Sequence, residues 1–184
     1  VKSRHGVTAK YCVLDAKSAI RWVRENATKL GIDENKIAAS GGSAGGHLAA
    51  ACATLPKFDA KNENKLISSK PNALILFNPG LLLPLNEKME KRLGTKPENL
   101  SPFSNISYNL PPTIIFHGTN DKITPFVSSE LFTKKMHEFN NECTLVDYQG
   151  QGHGFFNYGR NSNKFYDDTI NKMDKFLVSL GYLK

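Results

Sequence analysis

Three short, continuous apolar runs alternate with segments of helical periodicity in this chain of 184 residues. The runs lie at residues 73–77 (ALILF), at 113–116 (TIIF) and, with a more mixed composition, at 144–148. A continuous apolar run is typical of a strand that is buried on both faces, as in a parallel sheet. Helices between parallel strands form right-handed crossovers over the sheet. The sequence therefore predicts an α/β fold with a mostly parallel sheet and helices on both faces.

Periodic apolar positions predict helices over residues 15–30, 126–139 and 164–181. In the first helix, Asp15 is the predicted N-cap and Gly31 the predicted C-terminal stop. We expect one face of this helix to pack against a flat surface. The apolar stripe on that face consists of Ala16, Ala19, Ile20, Val23, Ala27 and Leu30, with Trp22 beside it.

We expect one domain over residues 1–184, with residues 1–4 as the end of a strand and a loop at His5 and Gly6. Residues 78–112 are rich in proline and predict an irregular excursion above the carboxyl edge of the sheet, with a short helix near residues 86–93. Excursions at this edge commonly shape a binding site.

A glycine-rich turn joins a short apolar strand, KIAAS at residues 36–40, to an Ala-rich helix at 47–55. The turn, Gly41-Gly42-Ser43-Ala44-Gly45, matches the pattern G-x-S-x-G, in which the serine is a nucleophile on a strained strand-to-helix turn. A phosphate-binding loop is the alternative, but the Lys-Ser/Thr ending of a P-loop is missing. The pattern and its context therefore favour Ser43 as a nucleophile.

The neighbours of Ser43 also suit this interpretation. Side chains two positions before and after the serine would collide as the turn closes, and the glycines Gly41 and Gly45 are expected to remove them. The backbone N–H of Ala44 lies near a helix N-terminus, where the helix dipole favours negative charge. We therefore expect that N–H to be one donor for an oxyanion.

A nucleophilic serine needs a base, and the base needs an acid that orients it. Asp121 lies on a loop just past the strand at 113–116, before Thr124 and Pro125, which are predicted as N-cap and first residue of a helix. His153 follows the strand at 144–148 between flanking glycines. The order Ser, Asp, His at the ends of three different strands is that of the G-x-S-x-G hydrolases.

Each of these two residues also has an ordinary interpretation. Asp121 can be a turn aspartate that binds its own backbone, and His153 can be an exposed loop histidine. Asp147 is the reserve acid, although it lies inside a predicted strand. The other histidines suit the role of base less well because of their places in the sequence: His5, His47, His117 and His137.

The composition excludes several other functions. The formal net charge is +7, but the basic residues are scattered, so nucleic-acid binding is not predicted, whereas an acidic polymer or a polysaccharide could still be attracted. Cys12, Cys52 and Cys143 have no metal-ligand spacing and are interpreted as small buried hydrophobic residues. No apolar run approaches the roughly 18 residues of a membrane span. The cellular compartment stays open.

The segments GGSAGGHLAA, HGTNDKITP and GQGHGF resemble the α/β-hydrolase esterases of the acetyl-esterase and hormone-sensitive-lipase-like groups. The segment DAKSAIRWVRENATKLGID also resembles the region that precedes the nucleophile turn in those enzymes. The resemblance implies Ser43 as nucleophile, Asp121 as acid, His153 as base and Ala44 as an oxyanion donor. It further implies hydrolysis of small acyl esters, acetyl esters of sugars or polysaccharides among them, without metal or organic cofactor.

One departure from the family pattern changes the expectation. Those esterases have several strands and an HGGG-type loop before the region of residues 15–30, but here His5 and Gly6 are followed by Val7 and Thr8. We therefore expect a C-terminal portion of a longer enzyme, with the strand before Ser43 at an exposed sheet edge that favours self-association. The loss of one oxyanion donor costs about 10²- to 10³-fold in rate, so the activity of this chain alone stays open.

Two other functions remain as alternatives. A serine peptidase of the prolyl-oligopeptidase type has the same residue order, although Ala44 fits the esterases better than the aromatic residue expected in those peptidases. A non-catalytic α/β-hydrolase-like domain would keep the fold without turnover. Three aromatic residues after His153 are candidates for either a substrate pocket or the core: Phe155, Phe156 and Tyr158.

Overall fold

A computed structural model describes residues 7–184, so the predicted strand end at 1–4 and the loop at His5 and Gly6 lie outside the described residues. The described chain contains a four-stranded sheet in which all neighbouring strands are parallel and the order is β1-β2-β3-β4. The predicted α/β class and parallel sheet are confirmed. The strands are β1 (Ala38–Gly42), β2 (Ala73–Phe77), β3 (Thr113–Gly118) and β4 (Cys143–Tyr148).

Helices precede, connect and follow these strands. They are α1 (Ala9–Glu25), α2 (Ala27–Leu30), α3 (Ala44–Thr54), α4 (Glu87–Leu93), α5 (Pro97–Leu100), α6 (Val127–Glu138) and α7 (Lys164–Ser179), with 3-10 turns at Phe103–Asn105 and Asn161–Asn163. The long helices predicted after β3 and β4 are thus present within a few residues of their expected ends. Within residues 7–184, none of the helices combines the length and apolarity that a bilayer crossing requires.

The two faces of the sheet are covered by different helices because side chains alternate along each strand. Leu74, Leu76 and Ile115 pack in one cluster with Ala50 of α3 and Phe132 of α6. The intervening side chains of β2 and β3 pack in a second cluster with α7; these are Ala73, Ile75, Ile114 and Phe116. Burial on both faces explains why these two strands read as continuous apolar runs.

Strand β1 is displaced from its predicted position. The strand was expected over residues 36–40, but it runs from Ala38 to Gly42 because Gly41 and Gly42 still pair with Leu76 and Phe77 of β2. Within the described residues, β1 lies at the edge of the sheet. Its side chains at Ala38 and Ser40 are exposed.

Helix α1 begins earlier than its sequence pattern indicates. It starts at Ala9 after Thr8, so the predicted N-cap Asp15 is an exposed residue inside the helix, and the wrong prediction follows from the helical periodicity that continues upstream of it. Asn26 separates α1 from α2. The predicted stop at Gly31 is confirmed, with φ of 68° in the left-handed region that glycine adopts without strain.

The predicted apolar stripe is not the most buried face of this helix. Of its members only Ala27 is fully buried, and Ala19 and Leu30 are exposed. The buried residues of α1 are instead Val13, Lys17 and Arg21. Long basic side chains can cover apolar surface with their stems when the charged heads find partners, and a stripe drawn from apolar residues alone misses them.

Those partners lie in the segment after α3. The Lys17 ammonium donates to the carbonyl oxygen of Leu55 at 2.6 Å and lies 3.0 Å from Asp59 Oδ1. Arg21 pairs with the same Asp59 oxygen at 2.8 Å and also with Glu63. Burial by itself raises the pKa of the Asp59 carboxyl, but hydrogen bonds from Arg21 and Lys17 outweigh it and hold the pKa below its usual value. These ion pairs therefore hold α1 against the connection between β1 and β2.

The excursion at residues 78–112 contains more regular structure than its prolines indicate. Helix α4 occupies Glu87–Leu93, where a short helix was expected, and Asn86 caps it by accepting a hydrogen bond from the N–H of Met89 at 2.9 Å. Leu93 and Leu100 pack in a cluster with α1 and α3. Part of the excursion is therefore held against the helical layer.

The three cysteines do not share one environment. Cys52 and Cys143 are buried as predicted, and burial raises the pKa of their thiols to about 11 and about 12, respectively. Cys12 is exposed on α1, so the prediction of a buried residue is wrong there. Its position follows from the early start of the helix, whose buried face is centred on Val13.

Candidate active site

Ser43 occupies a strained position between β1 and α3. Its backbone has φ of 56° and ψ of −115°, in a region that non-glycine residues rarely adopt. The turn is anchored because the N–H of Ser43 donates to the carbonyl oxygen of Phe77 on β2 at 2.9 Å, and the N–H of His47 donates to the Ser43 carbonyl at 3.0 Å. The predicted strand–turn–helix context is thus present, and Ser43 lies where β1 ends.

The glycines of the turn are not equivalent. A Cβ added to Gly41 would lie 2.4 Å from the backbone carbonyl carbon of Gly45, whereas one added to Gly45 would meet no atom within 4 Å. The expected collision therefore occurs at Gly41 and not at Gly45. Gly46 is the second tight position, since its Cβ would lie 2.8 Å from Pro79 Cβ and 2.9 Å from the Gly41 oxygen. The pattern G-x-S-x-G does not include this residue.

This asymmetry predicts opposite effects of the same substitution. Gly41→Ala is expected to lower the free energy of unfolding by about 1–3 kcal/mol or more, because backbone would have to move. Gly45→Ala is expected to raise it by up to about 1 kcal/mol, since alanine favours the helix in which this glycine lies. Urea unfolding followed by circular dichroism measures both, and equal destabilisation by the two variants would contradict the assignment.

Asp121 and His153 meet at the carboxyl edge of the sheet. Asp121 follows β3, its side chain is fully buried, and its Oδ2 lies 2.8 Å from His153 Nδ1. The other oxygen, Oδ1, accepts hydrogen bonds from the N–H groups of Ile123 at 2.8 Å and Thr124 at 3.1 Å. Asp121 thus uses one oxygen to close its own turn and the other to contact the histidine.

These contacts keep the carboxylate ionised. Burial by itself raises the pKa of Asp121, but the hydrogen bonds from His153, from the N–H groups of Ile123 and Thr124 and from the Thr124 hydroxyl outweigh it, and the pKa lies below its usual value. A carboxylate only accepts hydrogen bonds, so Nδ1 of His153 carries the proton. The lone pair of the neutral ring is then on Nε2, the nitrogen that a general base uses.

Thr124 does not cap the following helix. Its hydroxyl lies 3.0 Å from Asp121 Oδ2 and 3.1 Å from the carbonyl oxygen of Asn78, and α6 begins three residues later, at Val127, after Phe126. The predicted helix start is wrong because the threonine hydroxyl binds the carboxylate instead of a helix N–H. Thr124 therefore belongs to the support of Asp121.

A second histidine supports the same loop. His117 is the penultimate residue of β3 and its side chain is fully buried; its Nε2 lies 2.8 Å from the Thr124 carbonyl oxygen and 3.4 Å from Asp121 Oδ2. Its Nδ1 lies 2.7 Å from the hydroxyl oxygen of Ser129 on α6. Burial holds the pKa of His117 below its usual value. The sequence places His117 four residues before Asp121, but only the fold shows that its ring contacts the loop that contains Asp121 and Thr124.

Asn78 is a site residue that sequence reasoning missed. It follows β2, is buried, and has a positive φ of 34°. Its Nδ2 lies 3.5 Å from His153 Nε2, and its Oδ1 accepts from the N–H of Gly154 at 3.4 Å. Across the described residues, Ser43 Oγ makes no hydrogen bond to His153. The sequence signal that could have indicated Asn78 is the presence of a polar residue directly after the apolar run ALILF.

The remaining candidates occupy other places. Ala44 is the first residue of α3, so its N–H has no partner inside the helix and is available to an oxyanion. The reserve acid Asp147 is exposed on β4 and accepts from Gln149. His47 and His137 lie 2.8 Å from the carbonyl oxygens of Gly80 and Cys143, respectively.

The aromatic residues after His153 divide between core and surface. Phe155 is buried among the side chains that pack with α7, whereas Tyr158 is exposed. Phe156 packs against Phe77 in a tilted arrangement, with ring centroids 4.7 Å apart, and its ring lies against Gly42. Phe156 therefore joins the histidine loop to the nucleophile turn. In residues 7–184, no three His, Cys, Asp or Glu side chains converge as a metal site.

A parallel sheet covered on both faces, with a G-x-S-x-G turn between a strand and the next helix, is the arrangement of the α/β-hydrolases. The chain belongs to the α/β-hydrolase serine esterases, which confirms the resemblance. The BD-FAE family model matches residues 3–76 and the dienelactone hydrolase family model matches residues 94–178.

Solved and curated relatives agree with this assignment. The apo form of Thermogutta terrifontis esterase 2 superposes on all of the chain with a TM-score of 0.96 and 50% identity, over 70% of its own length. Esterase LipC of Mycobacterium tuberculosis is 27% identical over 78% of the chain, and the acetylxylan esterase of Xylanibacter ruminicola is 26% identical over 90%. The chain spans 40% and 35% of the length of these two curated relatives.

Proposed function

We propose that this chain carries the reacting residues of a serine carboxylic ester hydrolase that works through an acyl-enzyme. The observation that carries the proposal is the 2.8 Å contact between His153 Nδ1 and a buried, ionised Asp121. The contact lies at the strand ends where Ser43 occupies a strained turn. A nucleophile, a base and an orienting acid are the groups that acyl transfer requires.

In the proposed reaction, Ser43 Oγ attacks the ester carbonyl carbon while His153 Nε2 takes the hydroxyl proton. Asp121 holds the ring tautomer and stabilises the imidazolium, and the N–H of Ala44 donates to the oxyanion. The intermediate collapses, the carbon–oxygen bond to the alcohol breaks, and His153 returns its proton to the leaving alkoxide. Water then attacks the acyl-enzyme by the same route and releases the acid and free Ser43.

The proposal requires one rearrangement. His153 Nε2 faces Asn78, so the ring must turn towards Ser43 Oγ when a substrate binds. Hydrogen bonds between base and nucleophile are often long in unliganded enzymes and tighten in the substrate complex. The exposed fraction of the His153 side chain, 26%, leaves the ring accessible from the open side of the site.

Small acyl groups are the proposed substrates, on simple alcohols, sugars or polysaccharides. Solved forms of the related Thermogutta terrifontis esterase 2 are described as propionate-bound and butyrate-bound, and another relative is an acetylxylan esterase. The net charge of +7 favours approach of an acidic polysaccharide by long-range attraction, which salt would screen.

We propose further that residues 1–184 act as one catalytic domain and that the excursion at 78–112 borders the site. In support, the N–H of Gly80 donates to the Ser43 carbonyl at 3.3 Å. Self-association through the edge of β1 belongs to the same proposal, because an unpaired strand edge favours pairing with another copy. Light scattering of the purified chain tests this last part.

The acyl preference can be measured with p-nitrophenyl esters of increasing chain length. We expect kcat/KM to be highest among acetate, propionate and butyrate and at least about 10-fold lower for octanoate, since the acids bound in the solved relative are short and each methylene that a site does not accommodate lowers the rate. A preference for octanoate would contradict the small-acyl assignment. Faster cleavage of an aminoacyl p-nitroanilide would favour a peptidase, and failure of paraoxon to modify Ser43 in a folded sample would favour a non-catalytic domain.

A further inference from the structure

We infer that Asn78 is a positioning residue that, before substrate binds, holds the His153 ring in the tautomer that has its lone pair on Nε2. This inference rests on the proposed function of His153 as a base. Asn78 directly follows β2, which lies between β3, the strand that leads to Asp121, and β1, the strand that leads to Ser43. From this position Asn78 contacts both the loop that contains Asp121, through Thr124, and the loop that contains His153.

The backbone of Asn78 joins these parts. Its N–H donates to the carbonyl oxygen of Phe116 on β3 at 2.8 Å, and its own carbonyl oxygen lies 3.1 Å from the Thr124 hydroxyl. With 1% of its surface exposed, the residue is locked in place. A positive φ of 34° suits asparagine better than most residues. The side chain is therefore aimed at His153 by a fixed backbone.

The orientation of the Asn78 amide follows from its neighbours. The N–H of Gly154 points at one end of the amide, at 3.4 Å, and can only be matched by the oxygen Oδ1. The NH₂ group is then at the other end, 3.5 Å from His153 Nε2. An N–H donor favours a ring nitrogen that bears a lone pair and opposes one that bears a proton. Asn78 and Asp121 thus favour the same tautomer from opposite sides of the ring.

Within residues 7–184, the titratable side chains near this ring are Asp121 and His117. Asp121, from the loop after β3, accepts from Nδ1, and His117, at the end of β3, lies behind Asp121. The Asn78 amide is neutral, so it orients the ring without adding charge. A carboxylate in its place would favour a protonated Nε2 instead, because an opposite charge stabilises the imidazolium.

The test replaces Asn78 by its charged isostere in the whole chain. In Asn78→Asp, we expect the proton uptake of the His153 ring to move to higher pH by about 1–2 pH units. Nitrogen-15 chemical shifts of the histidine rings measure this directly, because a ring nitrogen with a proton differs from one with a lone pair. The acid limb of kcat/KM for p-nitrophenyl acetate should move in the same direction.

Asn72→Asp is the matched control. Asn72 precedes β2 as Asn78 follows it, about 20 Å away by strand rise, and its Oδ1 only accepts, from Arg24 at 2.7 Å and from the Ile37 N–H at 3.3 Å. The same change of charge there should leave the His153 titration unaltered. A second variant, Asn78→Gly, tolerates the positive φ and removes the amide donor without adding charge. It should move the titration upward by less than Asn78→Asp does.

The outcomes separate this inference from the proposed function. Folded Asn78→Asp and Asn78→Gly proteins whose His153 titration and tautomer match the starting chain would overturn the role of Asn78, whatever the activity. Modification of Ser43 by paraoxon, detected by mass, tests the proposed function independently. A shifted histidine titration in a chain that paraoxon does not modify would keep the inference and reject the hydrolase.

Discussion

Ser43→Ala is expected to lower kcat for p-nitrophenyl acetate by about 10⁴- to 10⁶-fold, because the proposed nucleophile is removed. Stability should change little, since the Ser43 hydroxyl makes no hydrogen bond to His153 in the described chain and the turn is held by backbone contacts to Phe77 and His47. Hydrolysis rates and circular dichroism of the same samples measure both expectations.

The control for this substitution is Ser40→Ala. Ser40 is exposed on β1, three residues before the nucleophile, so the same loss of a hydroxyl should leave hydrolysis unchanged. Paraoxon should add its phosphoryl group to the starting chain and to the Ser40 variant but not to the Ser43 variant. Undiminished hydrolysis by Ser43→Ala would remove the basis of the proposed function.

Asp121→Asn is expected to lower kcat by about 10⁴-fold while the fold is kept. The N–H groups of Ile123 and Thr124 must still meet an acceptor, so the amide oxygen takes the place of Oδ1 and the NH₂ group faces His153. Nδ1 of His153 then has to accept, and the proton moves to Nε2. A base whose Nε2 already bears a proton cannot take the one on Ser43.

The matching control is Asp147→Asn, which changes the reserve acid, an exposed residue of β4, and should leave the rate unaltered.

Acid unfolding of the Asp121→Asn variant gives a second measurement. The folded pKa of Asp121 is lowered, so its contribution to stability is present above the unfolded value of about 3.9 and is lost as pH falls through the lower folded value. Asp121→Asn should remove that part of the pH dependence. A rate that is lost in Asp147→Asn and kept in Asp121→Asn would exchange the two roles.

Elements with a strong local signal were predicted closely. Strand β2 was expected over residues 73–77 and runs from Ala73 to Phe77, because both of its faces are buried. Strand β1 was misplaced because its last two residues are glycines, whose place in the sheet depends on pairing with Leu76 and Phe77 rather than on their own preference. Tertiary pairing, which a sequence does not display, decided that boundary.

The prediction of the buried face of α1 was wrong for a different reason. Lys17 and Arg21 count as polar in any periodicity, but Asp59 and Glu63, far along the chain, neutralise them. Thr124 was likewise expected to cap a helix, whereas its hydroxyl is taken by Asp121. In both cases a long-range polar partner replaced the local role that the sequence predicts.

The residues of the candidate site also divide into those that the sequence indicates and those that only the folded structure reveals. Ser43, Asp121 and His153 could be proposed from the sequence because each follows a recognisable strand, in an order that the chemistry requires. Asn78 and His117 support this group through contacts made only in the folded chain. The glycine pattern did not distinguish Gly45, which has free space, from Gly46, which has none.

The strands lie in the sheet in the same order as in the chain, and this arrangement also bears on how the molecule folds. Each strand can join the one before it along the chain, although each parallel pairing first has to close a long loop and is slow for that reason. The contacts of His153 with Asn78 and Asp121, however, span 75 and 32 residues and form only after β4 has joined. The proposed site around His153 is therefore expected to be completed last, and local opening of the unit formed by β4 and α7 would remove it while the rest of the sheet persists.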